Sequence, residues 1–129
     1  FFNQKLPNGM SHNDLSIALF LQLGELDGLL MADLEQAGEL SLLKAGLLDS
    51  TQLLKVGHHG AKTSTSRDFV EATRPEISII SLGANNNYGH PSPRVLSLLS
   101  EFDSKIMRTD RLGTIELVVD EASWRVIEE

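Results

Sequence analysis

Leu, Ile and Val are concentrated in five short segments of this chain, at residues 15–23, 26–34, 53–56, 77–82 and 115–119. Aromatic residues make up only 5% of the sequence, so most of the hydrophobic core must come from these aliphatic segments. None of them reaches the roughly 18 apolar residues that cross a bilayer. The chain must therefore fold by packing these segments together, and its 129 residues suit a single domain over residues 1–129.

The order of the apolar patterns predicts strands that alternate with helices, with a hairpin at each end of the chain. The predicted strands cover residues 13–23, 26–32, 51–56, 76–82, 105–108, 113–119 and 124–127. The predicted helices cover residues 35–45, 66–73 and 93–102, and residues 1–12 are predicted to be a loop or loose end. This order predicts the α/β fold class, with a mixed β-sheet and helices packed on it.

The formal net charge of −7 argues against a nucleic-acid clamp of the basic kind, because phosphate contacts need Lys and Arg. It leaves open an enzyme that meets phosphates through metal ions. The chain has no cysteine, which excludes disulfides and thiolate metal sites. The first ten residues lack the pattern of a signal peptide, and the start at Phe1 without Met leads us to expect a part of a longer protein.

Polar residues that follow predicted strands are the candidates for chemistry, because loops at strand ends are rigidly held and open to ligands. They are Asp33, the pair His58 and His59, the stretch of residues 85–90 (NNNYGH), and Asp110. Two histidines between Gly57 and Gly60 are notable, since imidazole is a common ligand of zinc-like ions and glycine allows close approach. If the strand ends align, these groups converge on one edge of the sheet.

Structural explanations remain open for each candidate. Asp33 stands where a helix N-cap would lie, and the histidine pair could be a polar turn. Residues 85–88 could be an Asn-rich turn, His90 could be a loop histidine held by Pro91, and Asp110 could be a turn former. Lys62 could contact a phosphate, although a lone lysine is a weak signal. A catalytic zinc usually takes three protein ligands, so by counting alone the chain carries only part of a metal site.

In this order and spacing, five stretches resemble the metallo-β-lactamase superfamily and, more narrowly, the C-terminal hydrolase-like domain of the ComEC/Rec2 DNA-internalisation competence proteins. They are NDLSIAL (13–19), LLMADLE (29–35), LLKVGHHGAKTSTS (53–66), SIISLGANNNYGHPSPRVL (78–96) and RTDRLGTIEL (108–117). The resemblance implies that the chain is the C-terminal half of an αββα sandwich.

The resemblance also assigns roles to residues. Asp33 matches the carboxylate that bridges two metal ions, and the HHG segment supplies a histidine ligand, with His59 favoured over His58. His90, Tyr88 and Asn87 are the catalytic candidates, and His90 would orient a phosphate or a leaving group. Asn13 and Ser16 would lie near the site.

Three departures from the family pattern affect these roles. Ala32 stands where glycine usually precedes the carboxylate, and Ala61 stands where serine usually follows HHG. The main metal-binding signature of the superfamily, HxHxDH, is absent. It would lie in an upstream half-domain, so we expect a weak metal site or none in this chain alone.

The resemblance implies part of a metal-dependent hydrolase, a phosphodiesterase or nuclease that acts on the DNA strand that is not imported. The expected cofactors are two divalent ions, zinc or manganese. The expected partners are DNA or another phosphoester, the upstream half-domain with HxHxDH, and the membrane domain of the parent protein. The expected location is the outer side of the cell membrane, with the cytoplasm as the alternative.

Two other functions remain open: a stand-alone metallo-hydrolase of small phosphoesters or lactones, and a non-catalytic module that retains only the fold. Half a sandwich would leave one sheet face uncovered, so we also expect homo-oligomers when the chain is isolated.

Overall fold

Five strands form the main sheet in the order β1-β2-β3-β4-β5, and two further strands form a separate antiparallel hairpin, β6-β7. The computed structural model describes residues 6, 7, 9–120 and 123–128. The strands are β1 (Leu19–Leu23), β2 (Leu26–Leu30), β3 (Leu53–Lys55), β4 (Ile77–Ile80), β5 (Lys105–Arg108), β6 (Ile115–Val119) and β7 (Trp124–Glu128). The helices are α1 (Gln36–Lys44), α2 (Arg67–Thr73), α3 (Pro93–Glu101) and the single turn α4 (Thr109–Leu112), with 3₁₀ turns at His12–Leu15 and Gly57–Gly60.

Strands β2 to β5 run parallel to one another, and β1 is antiparallel to β2. Each parallel pair is joined by one of the helices α1, α2 and α3. Right-handed crossovers that always step in the same direction place their helices on the same face of a sheet. The buried core agrees, because it joins residues of the strands to residues of the helices: Leu29, Leu54, Val56, Phe69, Val70, Ile80, Val95 and Leu99. The predicted α/β class with a mixed sheet is confirmed.

The N-terminal part of the first predicted strand is wrong. The strand begins at Leu19 rather than at residue 13, and His12–Leu15 forms a 3₁₀ turn. Local hydrogen bonds explain the difference: the Asn13 N–H donates to Ser11 Oγ (3.1 Å) and the Ser11 N–H donates to Asp14 Oδ2 (2.8 Å). Such a capping box stabilises a helical turn over an extended backbone. The predicted loop at residues 1–12 is corrected at His12, and residues 1–5 and 8 lie outside the described residues.

Helix α1 is capped by a residue from a distant part of the chain. Its N-cap, Glu35, makes no capping hydrogen bond through its own side chain. Instead Asp14 Oδ1 accepts the N–H groups of Glu35 (3.1 Å) and Gly38 (2.8 Å). A Cβ on Gly38 would lie 3.0 Å from Asp14 Oδ1 and 2.6 Å from Leu34 Cγ, so glycine allows this approach. The capping role considered for Asp33 is therefore filled by Asp14.

A second buried carboxylate fixes the loop before α2. Glu39 is 1% exposed, and it accepts the N–H groups of Thr65 (2.5 Å) and Ser66 (2.8 Å). Burial raises the pKa of Glu39 above its ordinary value, against the effect of these hydrogen bonds. Arg94 donates to the carbonyl groups of Ser64 and Thr65. The segment after the histidine pair is thus held from both sides.

Strand β1 lies at the edge of the main sheet and keeps much of its apolar surface in solvent. Leu19, Phe20 and Leu23 are between 46% and 56% exposed. An edge strand with exposed apolar side chains can pair with another chain, so the expected homo-oligomers stay a prediction. In the part of the chain that the structure describes, no helix is long and apolar enough to cross a membrane.

The Asp14 cap can be tested by substitution. We expect Asp14→Ala to lower the free energy of unfolding by about 1–3 kcal/mol, because buried amide groups at the start of α1 lose their acceptor. Asp49→Ala, at an exposed aspartate, is the matched control and should change it by less than about 0.5 kcal/mol. Urea denaturation measures both values, and equal stability of the two variants would contradict the assigned cap.

Candidate functional site

The histidine pair lies in a tight turn, Gly57–Gly60 (the GHHG turn), which follows β3 after Val56. His58 and His59 both have left-handed backbone dihedrals, with φ of 45° and 53°. Left-handed backbone costs a non-glycine residue about 1–2 kcal/mol. Two such residues in succession need support from the surrounding structure.

The two glycines of the GHHG turn supply that support through close packing. A Cβ on Gly57 would lie 2.7 Å from the carbonyl oxygen of Leu34, and a Cβ on Gly60 would lie 2.9 Å from Pro91 Cβ. Gly60 also has φ of 74°, which favours glycine. The turn is therefore fixed between the loop after β2 and the loop after β4.

Backbone hydrogen bonds reinforce both contacts. The His58 N–H donates to the Ala32 carbonyl (2.9 Å), and the Ser92 N–H donates to the Gly60 carbonyl (2.8 Å). Three of the four predicted strand-end groups thus lie side by side, because the GHHG turn joins the loop of Asp33 to the loop of His90.

His59 is oriented toward Asp33. Its Nδ1 lies 2.5 Å from the carbonyl oxygen of Ser81, and its Nε2 lies 3.5 Å from Asp33 Oδ1. A carbonyl oxygen only accepts hydrogen bonds, so Nδ1 carries a proton. In the neutral imidazole, Nε2 then presents its lone pair to the carboxylate. Both side chains are nearly half exposed, at 43% and 49%, so the pair is open to solvent and to ligands.

His58 faces a different carboxylate. Its Nδ1 lies 2.9 Å from Glu35 Oε1, which also accepts a hydrogen bond from the Thr63 hydroxyl (2.7 Å). Asn13 Nδ2 lies 3.5 Å from the same oxygen. Burial raises the pKa of Glu35, but the hydrogen bonds from Thr63, Ser11, Asn13 and His58 together outweigh it and hold the pKa below its ordinary value. Glu35 therefore stays ionised and fixes the His58 ring.

His90 completes a cluster of three imidazoles. Its ring centroid lies 5.5 Å from that of His58, and the Tyr88 ring is stacked on it at 5.9 Å with an interplanar angle of 19°. Burial lowers the pKa of His90, and the neighbouring His58 and His59 lower it further. His90 is therefore neutral at pH 7.

The loop of residues 83–92 is organised by Asn86. Its Nδ2 donates to the His90 carbonyl (3.0 Å), and its Oδ1 accepts the His90 N–H (3.2 Å). Asn87, the predicted catalytic asparagine, is exposed in the same loop, next to Tyr88.

Asp110, the fourth strand-end candidate, is paired with Arg108 through two contacts, Nε to Oδ1 at 2.9 Å and Nη2 to Oδ2 at 2.5 Å. This hydrogen-bonded pairing lowers the pKa of Asp110. Its side chain is thus engaged by the neighbouring strand residue.

Sequence reasoning missed two contributors to this site, Glu35 and the Ser81 carbonyl, and it did not single out Asn86 within the candidate stretch of residues 85–90. Glu35 stands two residues after Asp33 and Asn86 stands within the NNNYGH stretch, so their positions were available as signals. Nothing in the sequence pattern marks the Ser81 carbonyl, because its role depends on where the His59 ring points.

Asp33 and His59 provide one carboxylate oxygen and one imidazole nitrogen, which are ligands that zinc and manganese accept. Among the residues that the structure describes, no three His, Asp or Glu side chains are arranged to hold one metal ion. The pair therefore fits the chemistry of such an ion but supplies fewer donors than a complete site.

Comparison with known proteins relates the chain to three longer proteins. It is 39% identical to ComE operon protein 3 of Bacillus subtilis over 110 residues, 36% identical to competence protein ComA of Neisseria gonorrhoeae over 117 residues, and 32% identical to recombination protein 2 of Haemophilus influenzae over 105 residues. These alignments cover 85%, 90% and 81% of the chain. The chain is homologous to a segment of competence proteins.

The chain spans only 14%, 17% and 13% of the length of these three proteins. No protein-family model matches the chain. The names of the relatives carry no information on the metallo-β-lactamase superfamily, which stays a resemblance.

The Ala32 backbone gives a test of strain at the site. Ala32 has φ of 46°, a dihedral that favours glycine. We expect Ala32→Gly to raise the free energy of unfolding by about 0.5–1 kcal/mol, because it relieves the left-handed strain at a modest entropic cost in the unfolded chain.

Ala45→Gly is the matched control, because Ala45 is also exposed but has an ordinary φ of −79°. That variant should lose about 0.5–1 kcal/mol. Thermal or urea denaturation distinguishes the two, and a loss in both variants would contradict the strained backbone at Ala32.

Proposed function

We propose that this segment contributes Asp33 and His59 to the metal centre of a phosphodiester hydrolase within a competence protein. The observation that carries the proposal is the orientation of His59, whose Nδ1 is engaged by the Ser81 carbonyl while Nε2 faces Asp33 at 3.5 Å. Metal-ligating histidines commonly donate their other ring N–H to a carbonyl or carboxylate in this way.

Electrostatics supports a cation between the two side chains. A carboxylate oxygen and a neutral imidazole nitrogen are both acceptors, so their lone pairs repel unless a proton or a metal ion lies between them. Zinc and manganese ions accept this donor pair, and the remaining ligands would come from an upstream half-domain with HxHxDH. We propose two ions in the complete site and weak binding by this segment alone.

The remaining residues fit roles around such a centre. A bound divalent ion lowers the pKa of water and polarises a phosphoryl oxygen. His90 is neutral at pH 7, so its one ring N–H can donate a hydrogen bond to a phosphate oxygen or to a leaving-group oxygen. Glu35 fixes His58 beside it, and Asn86 holds the backbone of the loop that carries His90. Tyr88 and Asn87 stand at the exposed edge of the same loop.

The homologues support DNA as the substrate, because one of them is named a competence protein. We propose that the parent protein works in DNA uptake at the cell membrane, that this segment lies on the outer side, and that it cleaves the strand that is not imported. The metallo-β-lactamase αββα sandwich is the fold we propose for the complete domain.

A non-catalytic module is the second candidate, and one observation favours it: no three His, Asp or Glu side chains of the described residues are arranged to hold one metal ion. The two candidates differ in whether the Asp33–His59 pair binds a divalent ion at all.

Manganese titration followed by paramagnetic broadening of NMR signals detects even weak binding. We expect broadening to centre on Asp33 and His59, and His59→Ala and Asp33→Asn should each weaken binding at least tenfold because half of the donor pair is lost. His12→Ala, at an exposed histidine outside the cluster, is the control and should leave the affinity unchanged. Affinity that is unaffected by His59→Ala would refute the proposed centre and favour the non-catalytic module.

A further inference from the structure

Tyr88 is the most exposed of the large hydrophobic side chains in the described residues, and it lies near the candidate centre. It is 82% exposed, although a tyrosine ring is costly to leave in water. One face of the ring lies nearly parallel to the His90 ring, and the loop beneath it is held by the two hydrogen bonds of Asn86. The ring is thus presented to solvent on a fixed support and keeps a face available for stacking.

Two clefts meet at this ring. One has a volume of about 160 Å³ and is lined by His59, Leu82, Gly83, Asn86, Tyr88 and His90. The other has a volume of about 280 Å³ and is lined by Lys62, Tyr88, Gly89, His90, Ser92 and Pro93. Because Tyr88 and His90 line both clefts, the stacked pair borders one cleft that His59 lines and a second cleft that Lys62 lines.

We propose that Tyr88 is a stacking platform for a base of single-stranded DNA and that Lys62 binds a neighbouring phosphate. The inference rests on the proposed function, since it gives the substrate of the same site a place to bind. Aromatic side chains stack on any base, and single-strand binding proteins combine such platforms with cationic groups along the backbone.

The charge of the chain fits a stacking mode. The net charge of −7 argues against binding a nucleic acid through a broad basic surface. Base stacking adds affinity that does not depend on net charge. Lys62 in the second cleft would bind one phosphate of the same strand. In a duplex the faces of the bases are covered by neighbouring bases, so the Tyr88 ring cannot stack on them.

The inference is tested by fluorescence anisotropy of a labelled oligothymidylate of eight nucleotides. The measurement is made at low salt in the presence of EDTA, so that neither metal binding nor cleavage contributes. We expect Tyr88→Ala to weaken binding at least fivefold and Tyr88→Phe, which retains the ring, to stay within twofold of the wild type. Lys62→Ala should weaken binding and reduce the salt slope by about one, whereas Lys44→Ala, at an exposed lysine at the end of α1, should do neither.

An abasic oligomer of the same length separates stacking from charge, because it keeps the phosphates and lacks the bases. We expect it to bind more weakly than oligothymidylate and to be insensitive to Tyr88→Ala. Equal affinity for the abasic oligomer or for a duplex, an unchanged affinity in Tyr88→Ala, or no binding at 1 mM chain would each overturn the inference. Since the assay excludes metal, a negative result leaves the manganese titration of His59 as an independent test of the metal centre.

Discussion

The candidate site depends on the close approach of the GHHG turn to the two loops beside it. The turn accepts this approach because Gly57 and Gly60 have no side chains where Leu34 and Pro91 come nearest. A larger residue at either position would push the turn away from a neighbouring loop and separate the histidines from Asp33 or from His90. Parallel strands bring the loops to one edge of the sheet, and the glycines convert that proximity into contact.

The same approach explains why strained backbone collects here. Ala32, His58 and His59 all have positive φ. Ala32 precedes Asp33, and His59 is itself the other member of the donor pair. Strained residues persist where the surroundings fix them, and they are concentrated at functional sites. In this segment the hydrogen bond from His58 to Ala32 joins two of the strained residues directly, so the geometry at Asp33 and at the histidines is set together.

Aliphatic patterning was sufficient to predict seven strands and the helices α1, α2 and α3, but not the single turn α4, and β5 was predicted with its observed bounds of 105–108. The pattern failed at residues 13–18, where Leu15 and Ile17 mimic a strand while the side chains of Ser11 and Asp14 stabilise a turn. It could place Asp33, the histidine pair and His90 at strand ends, because parallel strands align their carboxyl ends. It could not show that Asp14 caps α1 or that Glu35 receives groups from residues 13, 58 and 63, because these contacts join parts of the chain that are far apart in sequence.

The orientation of His59 is the central claim, because the donor pair of Asp33 and His59 follows from it. A long-range ¹H–¹⁵N correlation spectrum of the metal-free chain at pH 8, where imidazole is ordinarily neutral, reports which ring nitrogen carries the proton. The hydrogen bond to the Ser81 carbonyl requires a proton on Nδ1 of His59, so Nε2 is bare in the neutral ring and carries a proton toward Asp33 in the charged ring. A spectrum of a neutral His59 ring whose only proton lies on Nε2 would mean that Nδ1 cannot donate to the Ser81 carbonyl, and it would contradict this account of the site.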